Sequence, residues 1–159
     1  MLGCSAFIAG CAQLTHPQNA WRVIELPATA DQCTLVSAPL LLSSIAGSDR
    51  LVMIIENNSE ISVEISPQNT RLTTPDALSI YVDQSPPITA SGISLDKNRL
   101  SFDKEKSEKL LELLSKGQFA YFKLHSPTVN MRKNPRMPLN GFRKALTDAR
   151  LCNAFGKKR

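Results

Sequence analysis

The chain has 159 residues, a net charge of +5 and a hydrophobic content of 42%. This length and composition are typical of a globular domain with its own core and exclude extensive intrinsic disorder. No apolar run approaches the ~20 residues of a membrane-spanning helix, so attachment to a membrane would need another kind of anchor.

The N-terminal segment contains a stretch, residues 8–11 (IAGC), that resembles a bacterial lipobox. The resemblance implies that residues 1–10 are a signal segment and that Cys11 becomes acylated. A signal peptide should open with basic residues, yet the first one here is Arg22, so we expect the true start to lie upstream. Two alternatives remain: an ordinary export signal, or a first strand or helix of the domain with Cys4 and Cys11 buried.

The four cysteines fit the export interpretation. If processing removes the segment before Cys11 and lipid occupies that residue, only Cys33 and Cys152 remain. An oxidising periplasm would let this pair form a disulfide. The alternative is two unrelated buried thiols. Because the chain has no C-x-x-C and its two histidines, His16 and His125, are isolated, we expect no metal and no cofactor.

A polar tether at residues 11–20 precedes the first strand patterns. We predict early strands at residues 21–26, 33–36 and 40–42. The clearest pattern is a β-hairpin: residues 51–55 are apolar, residues 57–60 break the run, and Ile61, Val63 and Ile65 then alternate with polar residues. Alternation with a period of two places one set of side chains on a buried face of a strand.

The second half of the sequence combines strands with two helices. Further strands are predicted at residues 78–83, 93–95, 100–102 and 118–124. The first helix should span residues 104–116, with Asp103 as its N-cap and Gly117 as the residue after its C-cap. After a loop at residues 125–138, a last helix should run from about residue 141 to 151, with Asn140 as its cap.

These elements predict a single domain over residues 21–152, followed by a basic tail at residues 153–159. The fold class is mainly β, an antiparallel β-sandwich-like or α+β domain with two short helices in its C-terminal half. The pairing order of the strands does not follow from the sequence.

Several of these features resemble the invasion-associated locus B family of exported bacterial proteins. The matching pieces are Trp21, Cys33, the strand at residues 79–83 (SIYVD), the leucine helix that ends at Gly117, and the closing segment 138–146 (PLNGFRKAL). The last piece is similar to that family's L-x-G-F-x-x-A-L segment, whereas residues 84–117 lack its mid-domain cysteine pair. The resemblance implies a β-sandwich secreted to the periplasm or cell surface, with no catalytic centre to carry over.

Basic residues near the C-terminus form the best candidate site. Residues 123–159 carry a net charge of +9, which leaves −4 on the rest of the chain. Binding of an anion or partner is predicted for five residues: Arg132, Lys133, Arg136, Arg143 and Lys144. Phe119 or Tyr121 would add a stacking surface, unless they face a second layer. The alternative is a solvated basic face that keeps the protein soluble.

No catalytic residue is predicted, since the chain has neither G-x-S-x-G nor H-E-x-x-H. Four aspartates, Asp31, Asp76, Asp83 and Asp96, fall among turns and strand ends, where acids most often cap or bond the backbone. We expect a non-enzymatic periplasmic lipoprotein that is a structural or adaptor component of an envelope or secretion assembly. Ala12 after Cys11 favours the outer membrane. The expected partner is an envelope protein or anionic envelope polymer, and not nucleic acid.

Two further functions stay open. One is a soluble secreted binding factor of the resembled family, and the other is a small envelope hydrolase or a hydrolase inhibitor.

Overall fold

The computed structural model describes residues 20–25, 32–42, 50–66, 74–94, 98–124 and 135–156. The signal segment and Cys11, most of the tether, Arg132, Lys133 and the last three residues lie outside these ranges. The α-helices are α1 (Lys104–Lys116) and α2 (Phe142–Gly156), and one turn of 3-10 helix spans Pro75–Ala77. The strands of the described ranges are β1 (Trp21–Glu25), β2 (Cys33–Ser37), β3 (Leu40–Leu41), β4 (Arg50–Ile55), β5 (Ile61–Ser66), β6 (Leu78–Val82), β7 (Ile88–Thr89), β8 (Gly92–Ser94), β9 (Arg99–Ser101), β10 (Phe119–Leu124) and β11 (Arg136–Pro138).

The strands form two antiparallel sheets. The first has the order β1-β2-β4-β5-β9-β8, with β3 paired to β4, and the second has the order β11-β10-β6-β7. The prediction of a mainly β, antiparallel fold with two helices in the C-terminal half is confirmed. None of the helices in the described ranges is long and apolar enough to span a membrane.

The predicted hairpin is confirmed by the pairing of β4 with β5. Its register places Leu51 opposite Ile65, Met53 opposite Val63 and Ile55 opposite Ile61, and all six side chains are buried. Side chains that alternate with a period of two meet their cross-strand partners on one face, which is why the sequence pattern was sufficient here.

The chain passes between the sheets several times. β1 to β5 build the first sheet, β6 and β7 start the second, β8 and β9 return to the first, and β10 and β11 complete the second. One hydrophobic core includes residues from both sheets and both helices, among them Leu35, Ile80, Leu110, Phe122 and Phe142. The sheets therefore share their core.

Helix α1 agrees with its prediction, except in the role of the glycine that follows it. Asp103 caps the helix by accepting a hydrogen bond from the Lys106 backbone N–H at 2.9 Å. Gly117 has φ −86° and ψ 172°, so it is extended and not left-handed. A Cβ atom at this position would overlap Cγ1 of Val82 in β6. Gly117 is thus required by close packing and not by a positive φ.

Helix α2 is longer than predicted, and two short strands were not predicted. α2 continues to Gly156 and takes in residues 153–156, which the sequence placed in the tail. Its C-terminal half packs on β2, so tertiary contacts extend it. β11 falls inside the predicted loop at 125–138, and β7 follows Pro86 and Pro87. β7 and β11 have only two and three residues, too few to show a period, and each forms by pairing with a longer strand, β6 or β10.

Candidate functional site

The two cysteines of the predicted disulfide meet where α2 covers the first sheet. Cys33 begins β2 and Cys152 lies in α2, and their Cα atoms are 6.0 Å apart across a sequence separation of 119 residues. That spacing is in the usual range for a disulfide. The structure therefore brings the predicted pair to disulfide distance.

An asparagine holds the same contact in place. The Oδ1 atom of Asn153 accepts the backbone N–H of Cys33 at 2.6 Å, and its Nδ2 atom donates to the Cys33 carbonyl at 3.1 Å. The Asn153 amide thus pairs with the backbone of β2 as a neighbouring strand would. The sequence offered no signal for this residue, since Asn153 lies in the segment predicted as a tail.

A carboxylate lies beside the cysteine pair. Glu25 Oε1 is 3.7 Å from Cys152 Sγ, and one ligand atom from each of Glu25, Cys33 and Cys152 lies within 4.8 Å of the others. A metal would need both sulfurs as thiolates, and a disulfide removes them. The redox state of the pair therefore decides whether this cluster is a covalent link or a set of three possible ligands.

The described members of the predicted basic cluster contact different elements. Arg136 is exposed on β11, with its guanidinium 4.5 Å from the ring centroid of Phe119. Lys144, in the first turns of α2, pairs with Asp148 at 2.8 Å. Both members of that ion pair line a cavity of about 120 Å³ beside Trp21 of β1. Within the described ranges no contact joins Arg136 to Lys144, and Arg143 is exposed on α2.

Arg136 instead belongs to a row of side chains on the outer face of the second sheet. We name this the cation–aromatic row; its members, in the order in which each contacts the next, are Lys123, Tyr81, Tyr121, Phe119 and Arg136. Lys123 Nζ lies 5.4 Å from the ring centroid of Tyr81. The rings of Tyr81 and Tyr121 are stacked, with centroids 4.9 Å apart and planes 8° apart. Phe119 follows at 6.5 Å from Tyr121, and Arg136 ends the row.

The row follows from the alternation of two strands and from their register. In β10, the buried residues Ala120, Phe122 and Leu124 alternate with Phe119, Tyr121 and Lys123. β6 shows the same alternation, and its partly exposed Tyr81 lies directly opposite Tyr121. Because successive side chains of a strand point to opposite faces, all the aromatic members share the outer face. The sequence showed the alternation, but Tyr81 and Lys123 were missed as site residues because the pairing was unknown.

The two tyrosine rings stack across the strands. The 4.9 Å between their centroids matches the spacing of neighbouring strands, and their planes differ by 8°. Each ring therefore turns one face to the other ring.

This face carries positive charge without a described counterion. In the part of the chain that the structure describes, the ion pairs involve Arg99, Lys116 and Lys144, and none involves Lys123 or Arg136. A pair of hydroxyl groups, Ser79 and Thr89 at 2.9 Å, lies on the same face. The outer face of the second sheet is therefore rich in donors and in positive charge.

The described acids near these elements serve the fold. The carboxylate of Asp83 accepts the backbone N–H groups of Gln118 and Phe119, each at 3.0 Å. Asp103 caps α1, and hydrogen bonds from the Lys106 backbone and the Ser91 hydroxyl lower the pKa of its carboxyl by stabilising the charged form. Such acids position backbone, as turn and cap residues commonly do.

An open cleft of about 390 Å³ lies between the β4–β5 turn and the two helices. Its lining includes Asn58, Glu108, Glu112 and Arg150, and Glu112 is already paired with Lys116 at 2.7 Å. The Lys116 ammonium lowers the pKa of the Glu112 carboxyl. The cleft thus offers charges of both signs and no selectivity for one of them.

Comparison of the chain with family models, with curated proteins and with solved structures found no match. The two resemblances drawn from the sequence, to a lipobox and to the invasion-associated locus B family, therefore stay predictions. A function has to be inferred from the cysteine pair and the cation–aromatic row.

Proposed function

We propose that this protein is an exported, non-enzymatic binding domain of the bacterial envelope, a structural or adaptor component of an envelope or secretion assembly. The observation that carries the proposal is the meeting of Cys33 and Cys152 at disulfide distance, with their Cα atoms 6.0 Å apart. Structural disulfides form and persist outside the reducing cytoplasm. A link across 119 residues would hold α2 on β2 and join the two ends of the described fold.

In this proposal Cys11 carries lipid and holds the protein at the periplasmic side of the outer membrane. The support is the sequence of residues 8–11 (IAGC) and the alanine that follows them. Removal of Cys4 and acylation of Cys11 would also leave Cys33 and Cys152 as the only free cysteines, so the anchor and the disulfide support each other.

Binding is favoured over catalysis because several described charged groups are already engaged in backbone hydrogen bonds or in an ion pair. Asp83 and Asp103 hold backbone N–H groups, and Lys144 and Asp148 neutralise each other. The cation–aromatic row, in contrast, is a positively charged face with no described counterion. Such a face suits recognition of an anionic partner through charge and hydrogen bonds.

The test is expression from the complete gene in a Gram-negative host grown with an alkyne analogue of palmitate. We expect the protein to be labelled and to fractionate with the outer membrane, and a Cys11→Ala variant to lose both properties. Cys4→Ala is the matched control, since it should change neither. Unlabelled protein released to the medium would favour the soluble secreted factor over the anchored one.

The redox state is read in the same cells. Trapping free thiols with an alkylating agent before lysis should leave Cys33 and Cys152 unmodified until a reductant is added. Alkylation of both residues without reductant would contradict export to an oxidising compartment.

A further inference from the structure

We infer that the cation–aromatic row is a docking surface for an acidic protein segment that also carries apolar side chains. The inference rests on the proposed adaptor function and deepens it, because it names the surface and the chemistry of the partner.

The charge of the row requires an anionic partner. Lys123 and Arg136 lie at its two ends, both exposed, and neither has an ion pair within the described residues. By register, Arg136 lies opposite Tyr121, and Lys123 lies opposite Ser79, whose hydroxyl contacts Thr89. Among the described residues of β6, β10 and β11 on this face, the charged side chains are Lys123 and Arg136, and the carboxylate of Asp83 beyond the end of β6 is held by the Gln118 and Phe119 backbone N–H groups. Complementarity therefore favours carboxylates or phosphates.

The geometry of the rings disfavours partners that bind by stacking. Tyr81 and Tyr121 turn one face of each ring to the other, Lys123 lies over the ring of Tyr81, and Arg136 lies over that of Phe119. A nucleobase or sugar that stacked on Tyr81 or Phe119 would compete for the ring with Lys123 or Arg136. The N–H donors of the two cations suit anionic side chains instead.

An apolar strip beside the charges favours a protein over a polyanion. Phe119 lies opposite the exposed Pro138 in the neighbouring strand, next to the Tyr81–Tyr121–Arg136 line. Tyrosine and arginine are enriched at the centres of protein interfaces. The stacking and the cation–π contacts also hold these side chains before binding, which reduces the rotamer entropy lost on docking.

The test measures binding of the full-length protein to a random glutamate–tyrosine copolymer at low salt by fluorescence anisotropy. A Lys123→Glu/Arg136→Glu variant should bind at least about tenfold more weakly, as expected for loss of two charged contacts. The matched control is Lys104→Glu/Lys109→Glu, which makes the same charge change on exposed residues of α1 and should change the affinity less than about twofold. Near-UV circular dichroism of all variants verifies that they fold.

A second pair of variants tests the rings. Tyr121→Phe keeps the stack with Tyr81 and should bind as the wild type does, whereas Tyr121→Ala should lose at least about tenfold. If Lys104→Glu/Lys109→Glu loses as much affinity as Lys123→Glu/Arg136→Glu, only net charge matters and the inference is overturned. So would an absence of binding by the wild type.

Parallel titrations use heparin, a thymidine oligonucleotide and phosphatidylglycerol vesicles as probes. One of these probes could bind more tightly than the copolymer and lose that binding in the Lys123→Glu/Arg136→Glu variant. The surface would then be assigned to a glycan, nucleic acid or membrane, and the proposal of a protein partner would be overturned. Palmitate labelling, thiol trapping and copolymer binding of the wild-type protein separate the two proposals. Normal labelling with no copolymer binding defeats the docking surface alone, and binding without labelling or disulfide defeats the envelope location alone.

Discussion

Asp83 is joined to Phe119 in both directions. Its carboxylate accepts the Phe119 backbone N–H at 3.0 Å, and its own backbone N–H donates to the Phe119 carbonyl at 3.0 Å. These bonds connect the end of β6 to the start of β10 across 36 residues. They help to hold the register in which Tyr81 lies opposite Tyr121, so Asp83 positions the cation–aromatic row without belonging to it.

Replacing Asp83 should therefore loosen the second sheet. We expect Asp83→Ala to lower the free energy of unfolding by about 1–3 kcal/mol, because two backbone N–H groups lose their acceptor. The left-handed backbone of Asp83, with φ 49°, adds to the cost, since alanine tolerates it less well than aspartate. Urea unfolding measures the change. Asp148→Ala, which removes another exposed acid, should alter stability by less than about 1 kcal/mol; equal effects of the two substitutions would contradict the role of Asp83.

Gly117 and Val82 should behave as a coupled pair. Gly117→Ala places a Cβ atom onto Val82 Cγ1, and we expect overpacking to cost about 1–3 kcal/mol. Val82→Ala alone should also destabilise, because it leaves a cavity. In the double variant the new methyl group occupies the vacated space, so its loss of stability should be smaller than the sum of the two. Additive losses would show that the clash is relieved elsewhere.

The cysteine pair should contribute to stability as a cross-link. Converting Cys33 and Cys152 to serine, or reducing them, should lower the free energy of unfolding by about 2–5 kcal/mol, because a closed loop of this length restricts the unfolded chain. Intact-mass analysis of the oxidised protein should show two hydrogens fewer than the reduced form. If zinc binds the isolated protein with both thiols free, the Glu25 cluster is a metal site and the cross-link is wrong.

Asn153 should matter although it lies near the end of the described chain. Asn153→Ala removes both hydrogen bonds to the backbone of Cys33, which is buried, and we expect a loss of about 1–3 kcal/mol. Thr147→Ala, at an exposed position of the same helix, should stay within about 0.5 kcal/mol of the wild type. Thermal unfolding with the disulfide intact compares them. An unchanged Asn153→Ala variant would mean that the disulfide alone holds α2 on β2.

Acid should weaken the cap of α1. Hydrogen bonds lower the pKa of Asp103 in the folded protein below its usual 3.8, so the stabilisation by its carboxylate is complete above that pH and is lost as the pH falls through the lowered value. Asp103→Asn keeps a capping oxygen that does not titrate. The melting temperature of the wild type should therefore fall relative to that of Asp103→Asn below about pH 4. If the melting temperatures of the wild type and of Asp103→Asn change in parallel with pH, the cap does not depend on the charge of Asp103.

Local patterns predicted those elements that local chemistry controls. The β4–β5 hairpin came from alternation, and α1 came from a leucine stripe with Asp103 at its start. The end of α2 and strand β11 were not predictable, because each exists through contact with a distant strand. Gly117 was predicted from its place after the helix end. The structure instead requires a glycine there because Val82, which lies 35 residues earlier in the chain, packs against it.

The residues of the candidate site also fall into two groups, those that the sequence predicted and those that only strand pairing brings to the site. Arg136 was predicted as a binding residue from its basic neighbourhood, and Phe119 and Tyr121 as a possible stacking surface. Tyr81 and Lys123 were missed, because a residue joins such a row only when two strands pair in a particular register. The sequence grouped Arg136 with Lys144, but Lys144 is neutralised by Asp148 four residues along its own helix.

The sequence by itself determined which face of each long strand is apolar, where α1 begins and which two cysteines could pair. Only the tertiary structure decided that β6 lies beside β10, that Asn153 bonds the backbone at the start of β2 and that two cations contact a group of three rings. The physical reason is range: alternation and capping act over a few residues, whereas strand pairing and side-chain stacking join residues that the chain separates by tens of positions.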